Sequence, residues 1–225
     1  MRQTWRNLLF AHWALEPAAL RPLIPEVLEL DLREGQAYVA VTPFRITGLR
    51  PRWLPPIPGS ANFAELNVRS YVRYQGRPGV FFFSLDAASL MAVAGARTSY
   101  HLPYYHARMK QEPAMAGFDY SSRRRGSRDR AELVGHYVPI SDVRQPRPGT
   151  LEHWLVERYC LYAPHKDRLY RADIHHVPWP LQEAKADFEV NTVAAAAGIK
   201  LPEVAPLCHF AREIDVLVWL PERLL

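Results

Sequence analysis

Cysteine is nearly absent: among 225 residues only Cys160 and Cys208 carry a thiol. Neither sits in a Cys-x-x-Cys or zinc-ligand spacing, so no disulfide framework or zinc site is indicated, and both read as free thiols of a reducing compartment. Lysine is also scarce. Of 28 basic residues only Lys110, Lys166, Lys185 and Lys200 are lysines, and the rest are arginines. The net charge of +5 therefore does not by itself point to a polyanion partner. No apolar run approaches the roughly 20 residues of a membrane-spanning helix. The segment Met1–Arg6 lacks the apolar core and cleavage site of a signal peptide, and a cytoplasmic protein is expected. There is no Gly-x-Ser-x-Gly, no phosphate loop and no dinucleotide fingerprint, so no cofactor is expected.

What the chain does have is alternation. Leu66, Val68 and Val72 fall on one face of residues 65–74, while Glu65, Asn67, Arg69, Tyr71 and Arg73 fall on the other. That period of two marks a strand with one apolar face. Residues 79–86 are apolar on both faces and read as a strand deeper in the core. Further strands are expected over 4–14, with Trp5, Leu9 and Trp13 in step, and over 28–31, 37–41, 115–121, 131–139, 169–175 and within 210–220. Helices are expected near 16–21, over 87–100 with a stripe of Leu90, Val93, Ala94 and Arg97, over 150–158, and over 190–198 with Gly198 as its stop. The proline-rich stretch from Arg50 to Gly59 excludes helix and central strand; it reads as a stiff loop, either a surface crossover or a cover. With no linker-like composition shift, the fold class is α+β, mainly β. Residues 1–225 form one domain, an antiparallel sheet curled into a barrel or cone with a few short helices.

Several candidates for chemistry can be weighed on spacing. His175 and His176 are adjacent on a strand and point to opposite faces, so they do not chelate one ion together; no metal site is expected. Cys208-His209 reads as a core cysteine beside a histidine rather than a thiolate–imidazole pair. The cluster from Arg123 to Arg130 reads as a hairpin tip, either solvated or in phosphate contact. Glu65, Asn67 and Arg69 form either a solvated face or a pocket wall. In Tyr104-Tyr105-His106, Tyr104 and His106 share one face and Tyr105 takes the other.

Four blocks carry a family resemblance: Ala19 to Asp31, Glu65 to Val72, Leu102 to Met109, and His176 to Gln182. In order and across nearly the whole chain, they resemble the bacterial YqjF-like proteins, a domain of unknown function. That family is similar, more remotely, to acetoacetate decarboxylase. The resemblance implies an antiparallel β cone or barrel with a central cavity, and it raises the prospect of homo-oligomers. The decarboxylase uses a lysine imine, with a second lysine lowering the nucleophile's pKa. Here the matching block is Pro103-Tyr104-Tyr105, with tyrosine at both lysine positions, so imine chemistry is not expected. The resemblance places a family arginine on Arg6 and a pocket glutamate on Glu65; a second acidic position falls near Val39–Val41, which is apolar. The expected site is thus Glu65 and Tyr104 as catalytic groups, with Arg6, Asn67, Arg69, Tyr105 and His106 binding substrate. Tyr104 is taken to face the cavity, the reverse arrangement with Tyr105 staying open. The expected ligand is a small carboxylate or carbonyl compound undergoing a proton-transfer or lyase step. A non-catalytic binding or assembly protein is the alternative, and nucleic-acid binding through Arg123–Arg130 is the weaker one.

Overall fold

A computed structural model describes residues 1–56, 61–126 and 130–225. In chain order the strands are β1 (Arg2–Leu15), β2 (Glu29–Leu30), β3 (Ala37–Arg50), β4 (Phe63–Tyr74), β5 (Arg77–Ala87), β6 (Tyr104–Pro113), β7 (Phe118–Arg124), β8 (Glu132–Pro139), β9 (Cys160–His165), β10 (Arg168–His175), β11 (Gln182–Asn191), β12 (Leu207–Val218) and β13 (Glu222–Arg223). The α-helices are α1 (Pro17–Leu20), α2 (Leu90–Tyr100) and α3 (Leu151–Val156). Pairing runs from β5 through β6, β7, β8, β11, β12, β1, β3 and β4 and returns to β5, so these strands form a ring. Strands β9 and β10 make a second path from β5 to β12. Two pairings depart from the expected antiparallel pattern: β5 is parallel to β6 and to β9. The first follows from the crossover helix α2, because a parallel neighbour needs a long connection rather than a hairpin.

The strands shared by both paths are buried on both faces over much of their length and separate two apolar cores. Leu9, Trp13, Val39, Val41, Leu66 and Val68 pack into one. Leu8, Phe10, Phe44, Ile46, Tyr71 and Val80 pack into the other. Alternation thus sends odd residues of β3 one way and even residues the other. In β1 the expected register of Trp5, Leu9 and Trp13 does not persist. Asn7 has a φ of 51°, and the pairing with β3 shifts between Arg6 and Ala11. This bulge turns Trp5 toward the second core, while Leu9 and Trp13 stay in the first.

Helix α2 starts where Ser89 Oγ accepts a hydrogen bond from the Ala92 amide at 3.3 Å, and it stops at His101, φ 56°. Of the expected stripe only Val93 is buried, together with Tyr100, and Leu90 is 63% exposed. Strands β9, β11 and β13 go unread in the sequence pattern, and β6 is read only as the alternation of Tyr104 to His106. Of the alanine-rich helix only a 3-10 turn, Ala195–Ala197, is present, before Gly198 at φ 78°. Residues 190 and 191 belong to β11 instead. Ile57, Pro58 and Gly59 of the proline-rich loop lie outside the described residues, as do Ser127, Arg128 and Asp129 of the basic turn. Arg124 does not belong to a solvated turn: its buried guanidinium pairs with Asp86 at 2.7 Å. Both cysteines are buried and unpaired, and burial pushes the Cys208 thiol up to about 12. Among the described residues no helix is long and apolar enough to cross a membrane.

Candidate functional site

A cavity of about 290 Å³ lies within the second core, walled by β4, β5 and neighbouring strands and by one side of α2. Strand β4 positions its polar groups. Leu66 and Val68 enter the first core, which turns Glu65, Asn67 and Arg69 into the cavity. These three are only 3%, 5% and 7% exposed, so the strand face is a pocket wall and not a solvated surface.

Glu65 and Tyr104 meet directly. Tyr104 Oη donates to Glu65 Oε2 at 2.9 Å. The parallel register of Leu85 with Tyr104 brings the phenol there, and Arg97 Nε–H of α2 donates to the Tyr104 carbonyl at 2.6 Å. From the other core, Tyr120 Oη donates to the Glu65 carbonyl at 2.7 Å. Burial pushes the Glu65 carboxyl up to about 8; the Tyr104 hydrogen bond opposes this and the Asp86 charge adds to it. Burial, with the Glu65 charge beside it, also holds the Tyr104 phenol well above its ordinary value. Tyr104 is therefore a neutral hydrogen-bond donor, not a phenolate base.

Arg69 is the unusual cation. Its guanidinium lies 5.1 Å from the centroid of Phe10 and 5.9 Å from that of Tyr71. The buried guanidinium of Arg124 has Asp86 as partner, and that of Arg158, which also lines the cavity, has Asp31. Arg69 has no carboxylate partner among the described residues, and its Nε and Nη2 find no hydrogen-bond acceptor. A buried charge without a partner is costly unless something else supplies one. Asn67 Oδ1, Thr42 Oγ1 and Tyr100 Oη of the cavity wall are likewise buried without protein partners.

The expected site is assembled only in part. Glu65, Tyr104, Asn67 and Arg69 line one cavity, with Tyr104 facing inward. Arg6 does not: it is exposed and pairs with Glu213 at 2.6 Å. The bulge at Asn7 is the reason, because it places Trp5 on the cavity side and turns Arg6 outward. Tyr105 packs outside the cavity, with the Arg124 guanidinium 3.9 Å from its ring centroid. His106 is absent from the wall because β6 there leaves β5, which ends opposite it, to pair with β7. Among the polar cavity residues that sequence reasoning missed are Thr42, Tyr100, Arg158 and His176. His176 is 4% exposed, and burial lowers its pKa, so it is neutral. The block His176 to Gln182 marked the region but gave no sign of which chemistry it carries. All four lysines are exposed, and none lines the cavity. Among the described residues no group of three or more His, Cys, Asp or Glu is placed to hold a metal ion.

The sequence matches, over residues 2–215, the DUF2071 family, described as an uncharacterized conserved protein. The chain belongs to this family. One relative is the uncharacterized protein YqjF of Bacillus subtilis (strain 168), 51% identical over 219 residues, which cover 97% of this chain and 90% of YqjF. Solved structures share the fold at low identity. The enduracididine biosynthesis enzyme MppR with pyruvate superposes with a TM-score of 0.68 at 14% identity, over 100% of this chain and 90% of MppR. Acetoacetate decarboxylase from Legionella pneumophila superposes with a TM-score of 0.64 at 16% identity, over 99% of this chain and 88% of the enzyme. The chain is thus a mainly β protein of the acetoacetate decarboxylase-like fold.

Proposed function

We propose that the cavity binds a small carboxylate or carbonyl compound and acts on it by proton transfer, without an imine. The observation that carries this reading is Arg69, a buried arginine in the cavity wall without the aspartate that each of its buried counterparts has. A ligand carboxylate would supply that partner through a charge-assisted pair. The pyruvate complex of a protein with the same fold supports the ligand class. Glu65 would be the acid. With its pKa at about 8 it carries its proton near neutrality, and Tyr104 donating to Oε2 leaves Oε1 to hold that proton. A carboxylic acid kept protonated in an apolar site can donate to a carbonyl oxygen, while the proton of the neighbouring carbon would pass to the neutral imidazole of His176 in the same wall and return when the enol reverts to the ketone. Exposed lysines are consistent with chemistry that forms no Schiff base.

The test is a panel of oxo acids incubated with the protein in deuterated water, with exchange next to the carbonyl followed by NMR and binding followed by thermal shift. Exchange should fall about 100-fold in Glu65→Gln and should decline in the native protein as pH rises through about 8. Stabilisation by oxo acids without exchange would leave a binding protein and remove the catalytic half of the proposal. No stabilisation by any carboxylate would remove both halves.

A further inference from the structure

We propose that the ligand is elongated: an apolar monocarboxylate with a second oxygen function, a ketone or its enol, on the order of 10 Å from the carboxylate. This substrate class presupposes the carboxylate pocket proposed above and adds a length to it.

The two polar stations of the cavity are far apart. Glu65 and Arg69 are four residues apart on one strand face, which separates their Cα atoms by about 13 Å. Their side chains then diverge. Glu65 reaches across β5 to Tyr104 of β6, whereas Arg69 leans across β3 onto Phe10 of β1. Their electrostatic neighbourhoods differ in the same way. The Arg69 charge acts on His12, Tyr71 and Arg158, while the charge that Glu65 responds to is Asp86.

Between the stations, Asn67 and Thr42 face each other in register, each with an unpartnered oxygen, and Leu8, Phe44, Val80 and Phe82 supply apolar wall. A three-carbon oxo acid has its carboxylate and carbonyl on adjacent carbons, so it would occupy one station and leave the other unmet. A chain of about five methylenes between the two functions spans both. Size agrees: a cavity of about 290 Å³ is more than pyruvate needs and has room for a chain that spans both stations.

Isothermal titration of the native protein at neutral pH with pyruvate, 4-oxopentanoate, 7-oxooctanoate, octanoate and octan-2-one tests this. 7-Oxooctanoate should bind about tenfold or more tightly than each of the other four. Its advantage over octan-2-one should vanish in Arg69→Met, and its advantage over octanoate in Glu65→Leu and in Tyr104→Phe. If pyruvate or 4-oxopentanoate bound as tightly as 7-oxooctanoate and still needed Arg69, the length would be wrong and the carboxylate pocket would stand. If octanoate matched 7-oxooctanoate, the second oxygen station would be wrong. If no carboxylate bound at all, the pocket reading itself would fall with it.

Discussion

Arg69 and Arg124 are both buried arginines of a strand, yet they should respond oppositely to the same substitution. Arg69→Met removes a buried charge that has no carboxylate partner among the described residues and should raise the stability of the unliganded protein by about 1–2 kcal/mol while abolishing carboxylate binding. Arg124→Met strands Asp86, which is 1% exposed, and should cost about 3–5 kcal/mol; urea melts of the two variants check the contrast. Glu65 sets a pH dependence. Its folded pKa is raised from 4.5 to about 8, so its stabilising contribution is full below 4.5 and lost as pH rises through about 8. Native protein should weaken over that window by on the order of a few kcal/mol, and Glu65→Gln should flatten the profile. At this scale the sequence was legible wherever a period of two ran unbroken. Glu65, Asn67, Arg69 and the inward Tyr104 were read from alternation and family blocks. Arg6 was placed by the resemblance, and a positive φ at Asn7 turns it outward; asparagine tolerates that conformation better than most residues, but its presence alone does not fix a bulge.

Helix α2 and strand β11 show what weak amphipathic contrast does at the level of elements. Six of the eleven residues of α2 are alanine, glycine, serine or threonine, so the sequence offers no sharp stripe, and only Val93 of the expected face is buried. β11 alternates Glu183, Lys185, Asp187 and Glu189 with Ala184, Ala186 and Phe188, but the alanines that follow it pulled the reading toward helix. The central strands β1, β3, β4, β5 and β12 are legible because many of their apolar residues are large or β-branched, whereas the parallel crossover through α2 is not. Gly95 gives this scale a test. It lies inside α2, where an added Cβ meets nothing within 4 Å. Gly95→Ala should therefore stabilise the protein by about 0.5–1 kcal/mol through the unfolded state, measured as a rise in Tm.

Across the whole molecule, the two cores share β12, β1, β3, β4 and β5, so neither can unfold alone without exposing the other. Urea unfolding followed by tryptophan fluorescence and by far-UV circular dichroism should give coincident transitions. Phe210 is fully buried and lies against Phe118 and Tyr137 in the first core. Phe210→Ala should shift both transitions together by about 3–4 kcal/mol, although Trp5 and Trp179 report from the second core. The ring also has a temporal consequence. Strand β1 is held between β3 and β12, and the Met1 amino group donates to the Val218 carbonyl 217 residues away. At about 5–20 residues per second of synthesis, β1 waits on the order of ten seconds or more for its second neighbour. For that interval the nascent chain presents an open β1 edge and a half-built cavity to the cell. Chaperone engagement on the ribosome should accordingly persist until β12 emerges, because no earlier intermediate can close.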